Sequence, residues 1–263
     1  MKPAGTPVGR GVLDTLSQFD TPTICNLVEL FEVRPRHTGY MDRRIRAAYD
    51  DLPPIVGFAA TATFRAGAPP REGDAYMGTE EQVERFGELS GPPIVVFQDL
   101  DDPTAAATFG EVMCTTYRAF GAVGLITSGT GRDLDQVRAL GFPVFTNGAT
   151  CAHGYCHFPD VHTTVHVGGV SIYPDDLLHA DRNGVTTLPR EIAAELADAA
   201  PEFVAAEEII LHELRSGEPT VQRLRAARAE SAARVTNLRQ RLTRKPAAVG
   251  ATSGRDTNTK ERA

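Results

Sequence analysis

Two short segments carry groups whose types and spacing could perform chemistry on a small acid. Gly110-Glu111-Val112-Met113 is followed, 22 positions after Gly110, by Arg132-Asp133. An arginine guanidinium can bind a carboxylate through two parallel hydrogen bonds, and backbone N–H groups freed at Gly110 would add donors. The Asp133 carboxylate supplies the oxygen ligand that a hard divalent cation prefers. Together the segments predict a site for an anionic ligand beside a divalent metal ion.

The same pair could instead have a purely structural role. An acidic residue is favoured at the N-terminus of a helix, where Arg132 and Asp133 could form an ordinary surface ion pair. The spacing alone does not decide between the two interpretations.

The distribution of lysine narrows the chemistry. The 263 residues include only Lys2, Lys245 and Lys260, so residues 3–244 contain no lysine. Schiff-base aldolases, pyridoxal phosphate enzymes and Walker-type nucleotide sites all need a lysine in the body of the fold. Those three mechanisms are all but excluded.

A run of histidines and cysteines resembles a zinc site at first sight: Cys151, His153, Cys156, His157, His162 and His166. Its C-x4-C-x5-H-x3-H spacing is too short for a zinc finger, which needs about twelve residues between the cysteine and histidine pairs. Ordinary strand histidines explain the run better. A histidine that lines an active site stays open as an alternative, because histidine can serve as an acid or base.

The acidic segment 99–102 has two interpretations. A solvated turn is favoured by its composition. The alternative is a second source of acid, base or water-positioning carboxylate.

Strands and helices must position these groups, and the hydrophobic pattern predicts an α/β alternation. In this pattern Gly110 falls inside a helix, and Arg132-Asp133 close a turn at the carboxyl end of a strand, where α/β sheets bind ligands. Three further short strands predict a β-rich layer packed on the α/β layer. The predicted strands are 55–64, 94–97, 123–127, 143–145, 165–167, 170–172 and 185–188, and the predicted helices are 11–31 with a restart at Asp20, 74–89, 103–120, 134–140, 189–216 and 219–242.

Charge is divided unevenly along the chain, whose net value is -7. Residues 1–210 hold 15 Lys/Arg against 29 Asp/Glu, whereas residues 211–263 hold 12 against 5. The acidic body argues against nucleic acid as a partner, since nucleic-acid binding depends on phosphate neutralisation.

The charge pattern and the composition divide the chain into domain 1–217, basic helix 218–245 and a disordered tail 246–263. The basic helix is predicted to pack on the acidic body of a neighbouring subunit.

The cellular setting is expected to be the cytoplasm. The four cysteines are too sparse for a disulfide framework and are interpreted as reduced thiols. The first residues contain no apolar run of signal-peptide length, and no segment approaches the roughly 20 apolar residues of a membrane span.

Several blocks, in this order, resemble the 4-hydroxy-4-methyl-2-oxoglutarate aldolase / RraA-like family. They are 110–111, 121–126, 129–133, 142–145, 167–177, 180–185 and Pro189, with looser matches at 21–26 and 73–74. The resemblance extends over about residues 10–215. Several blocks in a fixed order are far more specific than any single block.

The resemblance implies an α/β, swivelling-domain-like β/β/α sandwich, here with an added C-terminal helical tail, assembled as a homotrimer or homohexamer. It implies cleavage of a 4-hydroxy-2-oxo diacid to pyruvate and a second oxo acid, with oxaloacetate decarboxylation and a magnesium or manganese ion. Arg132 and Asp133 would be catalytic, Asp133 as the metal ligand. The substrate-binding residues would be Gly110, Glu111, Val112, Met113 and Arg132.

The chemistry of the reaction agrees with this assignment. Cleavage leaves the enolate of pyruvate, whose oxyanion needs an iminium lysine or a cation, and the lysine is missing. Three positions depart from the family pattern: Gln136 replaces an acidic residue, Asp175 replaces the glycine of a Pro-Gly-Asp turn, and Asn183 replaces the second aspartate of Asp-x-Asp-Gly. These departures favour drift toward an altered substrate or a lost activity, whereas the intact Arg132-Asp133 pair with Gly110-Glu111 favours the enzyme. The alternative is the other branch implied by the resemblance, a non-catalytic RraA-like protein that binds and regulates a ribonuclease.

Overall fold

The computed structural model of the protein describes residues 7–75 and 78–244. The strands are β1 (Arg46–Ala47), β2 (Ile55–Phe64), β3 (Pro93–Asp99), β4 (Ala107–Phe109), β5 (Gly124–Thr127), β6 (Thr130–Gly131), β7 (Val144–Thr146), β8 (Val165–Val167), β9 (Val170–Ile172), β10 (Leu177–Asp181) and β11 (Gly184–Leu188). The helices are α1 (Arg10–Leu16), α2 (Thr21–Leu30), α3 (Thr79–Glu84), α4 (Glu111–Ala119), α5 (Leu134–Ala139), α6 (Ala193–Arg215) and α7 (Val221–Arg244).

A seven-stranded mixed sheet forms the centre of the fold, in the order β1-β7-β5-β3-β2-β10-β11. β2, β3, β5 and β7 are parallel, whereas β10 pairs antiparallel with both β2 and β11. All ten residues of β2 are buried. Burial along a whole strand means that both faces of the sheet are covered, as in other α/β proteins.

The two faces of the sheet are covered by different layers. Val95 and Phe97 of β3 point to one face and pack with residues of α4 and α5. The alternate residues Ile94 and Val96 point to the other face and pack with the β8–β9 hairpin. Since successive side chains of a strand face opposite sides, this alternation yields the expected layers of sheet, hairpin and helix.

A buried polar network holds the first two helices to β10. The His179 ring is fully buried, with Nδ1 2.9 Å from Thr21 Oγ1 and Nε2 3.2 Å from the Leu16 carbonyl oxygen. Because a carbonyl oxygen only accepts, Nε2 carries the proton and Nδ1 accepts from the Thr21 hydroxyl. Asp181 also accepts the Thr21 N–H, at 3.0 Å. Burial lowers the pKa of His179 below 6.5 despite these contacts.

We expect this histidine to make the protein less stable in mild acid. Below about pH 6.5 the unfolded chain binds a proton that the folded His179 does not, so the free energy of unfolding falls as pH falls. In urea unfolding between about pH 7 and pH 5, wild type should lose stability relative to His179→Gln. Equal pH dependence in the two proteins would contradict the prediction. Comparison with the variant also cancels the opposite contribution of Asp99, whose pKa is raised to about 6.

The basic C-terminal helix packs on α6 of its own chain. Ala227, Ser231 and Leu238 of α7 are buried in this contact. Ion pairs join arginines of α7 to acidic residues of α6 and of the segment after α2: Arg223–Glu213, Arg241–Glu202 and Arg239–Glu32. The helix therefore docks on acidic residues as predicted, and these belong to its own chain because the turn after α6 lets α7 fold back. Contact with a neighbouring subunit stays a prediction. Residues 246–263 lie outside the described residues.

Most predicted elements occur, and one error affects the site. Strand 55–64 has the predicted bounds, and the restart at Asp20 is a helix cap in which its carboxylate accepts the Thr23 N–H at 2.8 Å. The predicted helix 103–120 is wrong in its first half, where residues 107–109 form β4. The strand β10 was not predicted, and α3 is shorter than the predicted helix 74–89. Within the described part of the chain, no helix is long and apolar enough to cross a bilayer.

Candidate functional site

The two predicted segments meet because the short strands before them pair. β4 and β6 are parallel, with Ala107 opposite Thr130 and Phe109 opposite Gly131. Gly110 then begins α4 as its N-cap, and Asp133 begins α5 in the same way. The N-termini of the two helices therefore lie side by side.

Asp133 connects these two helix ends. Its Oδ2 accepts the Glu111 N–H at 3.0 Å and lies 3.8 Å from Arg132 Nε. The side chains of Arg132 and Asp133 are 33% and 37% exposed, so both remain accessible to a ligand. The Arg132–Asp133 ion pair that a purely structural role predicts is therefore present, but both side chains are accessible and lie between two helix N-termini.

The backbone at this point is shaped for close approach. A Cβ atom on Gly110 would lie 2.6 Å from Asp133 Oδ2 and 3.1 Å from Arg132 Nε. Asp133 has φ 55° and ψ 40°, a left-handed conformation that is uncommon for residues other than glycine. Such conformations concentrate at functional sites, because the surrounding structure must hold them.

Gly110→Ala should therefore impair the site with little effect on folding. The added methyl group would push the Asp133 carboxylate away from the Glu111 N–H, which orients it. A lost orienting partner typically lowers metal affinity by about 10–100-fold. We expect a rise of that order in the dissociation constant for Mn²⁺, measured by calorimetry. Gly87→Ala is the matched control, since a Cβ there meets nothing within 4 Å, and equal affinities for the two variants would contradict the prediction.

Five of the six predicted site residues line one cavity of about 610 Å³: Gly110, Val112, Met113, Arg132 and Asp133. Glu111 takes part through its backbone N–H, whereas its side chain is exposed. The N–H groups of Val112 and Met113 belong to the first turn of α4, where an α-helix supplies no acceptor for them. A ligand carboxylate at this end would therefore meet a guanidinium and helix N–H donors together.

Several cavity residues were missed by the sequence reasoning. α3 contributes Thr79, Glu80, Val83 and Glu84, and the segment after β7 contributes His153, Cys156 and Phe158. His153 belongs to the histidine run, for which a place in the active site was left open. The spacing of the α3 residues carried no chemical signal, because they share only a helix face.

The departures from the family pattern have local explanations in two of three cases. Asp175 keeps the turn with φ 69°, and its carboxylate accepts the Ser90 N–H at 2.7 Å and pairs with Arg190. Asn183 donates from Nδ2 to Asp181 at 3.0 Å, a contact that an aspartate could not make when ionised. Gln136 is exposed and is not among the described residues that line the cavity.

The site offers one protein carboxylate, that of Asp133, to a magnesium or manganese ion. Among the described residues, no group of three or more His, Cys, Asp or Glu side chains could hold a metal ion. Magnesium commonly binds through one or two carboxylates, keeps several waters and takes further oxygens from its substrate. Asp133, accessible and oriented by a backbone N–H, meets that smaller requirement.

The acidic segment 99–102 belongs to a different cavity, of about 240 Å³, which also includes His166. Burial raises the pKa of Asp99 to about 6, and its Oδ2 is buried without a hydrogen-bond partner among the described residues. Asp101 accepts the N–H groups of Ala66 and Gly67 at 2.7 and 2.8 Å. The segment is therefore a partly buried structural turn rather than a fully solvated one, and it does not line the cavity of Arg132.

Comparison with known sequences gives a consistent match. Residues 21–187 match the RraA-like family, described as Aldolase/RraA. The "Putative 4-hydroxy-4-methyl-2-oxoglutarate aldolase" of Halalkalibacterium halodurans is 29% identical over 123 residues, which are 46% of this chain and 59% of that protein. Protein DlpA of Legionella pneumophila is 25% identical over 167 residues, 62% of this chain and 26% of that protein. The matches thus span less than two thirds of either relative.

Solved structures share the fold. An uncharacterized protein from Pseudomonas syringae pv. tomato superposes with a TM-score of 0.67 at 21% identity, over 87% of this chain and 98% of that one. RraAS2 of Streptomyces coelicolor, described as an unusual member of the RNase ES inhibitor RraA protein family, has a TM-score of 0.61 at 25% identity, over 77% and 97%. The predicted fold class is confirmed by these neighbours.

Proposed function

Because the chain belongs to the RraA-like (Aldolase/RraA) family, we propose that it is a divalent-metal-dependent carbon–carbon lyase that releases pyruvate from a 4-hydroxy-2-oxo acid. The observation that carries the proposal is the convergence of Arg132, Asp133 and the first turn of α4 on one cavity. The resemblance implies a diacid substrate and oxaloacetate decarboxylation, and both belong to the reaction class of this proposal. Both reactions generate the enolate of pyruvate.

The reaction breaks one carbon–carbon bond and, in net terms, moves one proton from the C4 hydroxyl to C3. The C4 hydroxyl loses its proton to a base, the C3–C4 bond breaks, and its electron pair moves to the C2 carbonyl oxygen. C4 becomes a carbonyl carbon, and the enolate takes up a proton at C3 to give pyruvate. The barrier lies in the negative charge that develops on the C2 oxygen, so stabilisation of that charge is the main requirement.

The residues of the chain meet this requirement by position. Arg132 can hold the substrate carboxylate or the developing oxyanion, with the N–H groups of Val112 and Met113 as further donors. Asp133 would hold the metal ion, which when bound supplies Lewis-acid polarisation of the 2-oxo group. Glu111 orients Asp133 through its N–H, at 3.0 Å. In this proposal the residues for anion recognition and for metal binding are adjacent in the sequence and at the cavity.

Direct assay of pyruvate release tests the proposal. Purified protein is given 4-hydroxy-4-methyl-2-oxoglutarate or oxaloacetate with Mg²⁺ or Mn²⁺, and pyruvate is followed by a coupled dehydrogenase. Parallel reactions without protein correct for spontaneous and metal-catalysed decarboxylation. We expect pyruvate above that background. Rates equal to the protein-free reactions for every 4-hydroxy-2-oxo acid and for oxaloacetate would exclude the lyase.

A second candidate is a regulator that binds a ribonuclease. It is supported by the likeness to RraAS2, at 25% identity over most of both chains. Titration of the protein into an RNA-cleavage assay with an RNase E-type enzyme tests it. Inhibition that Arg132→Ala leaves intact, in a protein without lyase activity, would favour this candidate.

Assembly and location complete the proposal. We infer a homotrimer or homohexamer, as the family resemblance implies, and a cytoplasmic location, as the apolar pattern and the sparse cysteines of the sequence indicate. Light scattering at low and high salt measures the mass, and a monomer at both would contradict this inference.

A further inference from the structure

The cavity of Arg132 continues as a groove between two helices. α4 lines it with Val112, Met113 and Thr116, and the groove reaches Phe120 at the end of that helix. These residues recur at three- and four-residue spacing, so they share one face. Ten residues of helix from Gly110 to Phe120 correspond to about 15 Å. The charged end of the groove and Phe120 are therefore separated by most of the length of α4.

The walls of the groove beyond Arg132 are mainly apolar. The large apolar side chains are Val83, Phe109, Val112, Met113, Phe120 and Phe158. Val112 and Phe120 are 81% and 62% exposed and line the groove with the other apolar side chains. Exposed apolar side chains that share a groove mark a binding surface. A ligand that extends from Arg132 along α4 would bury them.

Charge along the groove disfavours a second carboxylate on the ligand. Among the described residues that line it, Arg132 is the only arginine or lysine. Glu80 and Glu84 of α3 lie on the same wall as Val83, and like charges disfavour one another. A diacid would therefore have one carboxylate satisfied and the other without a cationic partner.

The volume points to the same kind of ligand. A cavity of about 610 Å³ lies within the range of roughly 300–1,000 Å³ that holds drug-sized ligands. A short diacid would leave most of the apolar wall in contact with water.

We infer that the groove binds a monoanionic 2-oxo acid whose C4 carries an aryl or branched alkyl group. The carboxylate lies at Arg132, and the apolar group lies between α3 and α4 toward Phe120. This inference rests on the proposed function for its reaction, in which the apolar aldehyde or ketone leaves instead of a second oxo acid. The bonds that break and form are unchanged.

Two measurements test the inference separately from the lyase activity. Calorimetry in Mg²⁺ compares 4-phenyl-2-oxobutanoate, which lacks the C4 hydroxyl and is not cleaved, with 2-oxoglutarate. Pyruvate release compares 4-hydroxy-2-oxo-4-phenylbutanoate with 4-hydroxy-2-oxoglutarate. We expect 4-phenyl-2-oxobutanoate to bind about tenfold more tightly than 2-oxoglutarate. We also expect kcat/KM to be higher for 4-hydroxy-2-oxo-4-phenylbutanoate than for 4-hydroxy-2-oxoglutarate.

Variants locate the effect in the groove. Phe120→Ala should weaken binding of the phenyl compound severalfold, whereas Leu211→Ala, an exposed leucine of α6, should not. Glu84→Arg should raise kcat/KM for the diacid relative to the phenyl substrate, because it supplies the missing cation. These opposite changes would not follow from a general loss of stability.

The outcomes distinguish the two proposals. Tight binding of the phenyl compound without any pyruvate release supports the groove and excludes the lyase. Pyruvate release that favours the diacid, with no preference for the phenyl compound in binding, overturns the groove inference and leaves the lyase intact. A lower oligomer mass for Phe120→Ala, with unchanged phenyl binding, would assign the exposed apolar edge to a subunit contact and also overturn it.

Discussion

Replacing Arg132 with alanine is expected to lower kcat/KM for pyruvate release by about 30- to 1,000-fold. This range corresponds to about 2–4 kcal/mol of transition-state stabilisation, the usual effect of removing one oxyanion donor. Arg132 is 33% exposed and contacts Asp133 through Nε, so its loss should disturb the charge at the reacting end more than the fold. Steady-state kinetics and thermal unfolding of the same preparation measure the two effects.

Arg138→Ala is the matched control for this substitution. Arg138 lies on α5, pairs with the exposed Asp51 at 2.8 Å and is not among the described residues that line the cavity. Both variants remove one positive charge from nearby positions. Similar rates for the two would mean that Arg132 acts only through overall charge, and near wild-type rates for both would place the active site elsewhere.

Metal removal is expected to abolish pyruvate release. The described residues, and all of residues 3–244, contain no lysine that could form an iminium, so the enolate must be stabilised by a cation. EDTA should stop turnover, Mg²⁺ or Mn²⁺ should restore it, and borohydride added with substrate should trap no adduct. Undiminished turnover of metal-free protein in EDTA would exclude the metal.

Asp133→Asn should locate that requirement in the chain. The amide keeps an oxygen that can accept the Glu111 N–H but loses the charge that attracts a cation. We expect loss of activity at Mg²⁺ concentrations that saturate wild type. Asp135→Asn, two positions later and exposed on α5, should behave as wild type. Equal loss in both variants would indicate a general effect of charge at the start of α5.

The site depends on a left-handed aspartate that both helices share. Asp133 begins α5 at φ 55°, and its carboxylate accepts from the first residue of α4 rather than from its own helix. The position of the carboxylate therefore depends on how α4 and α5 lie relative to each other. Substitutions that separate β4 from β6 should impair the site for this reason, even when they are distant from the cavity.

Local patterns in the sequence were sufficient to predict several strands, the class of mechanism and the family of this protein. The spacing of apolar residues predicted β2, β8 and β9 at their observed bounds, because a buried strand of Val, Ile and Phe has a strong local signal. The absence of lysine from residues 3–244 all but excluded the iminium mechanisms. The ordered blocks around Arg132 and Asp133 predicted the family, which the comparison confirmed.

The tertiary structure alone decided how the site is assembled. β4 is only three residues long, too short for a periodic signal, and the sequence pattern predicted a helix there; its pairing with β6 is a long-range contact. The α3 wall of the groove comes from residues about fifty positions before Arg132, and no local pattern relates the two. Charge predicted that α7 would dock on an acidic surface, but charge cannot distinguish its own chain from a neighbour. The short connection after α6 and the packing of apolar side chains hold α7 on its own chain, where Leu238 is buried against the body.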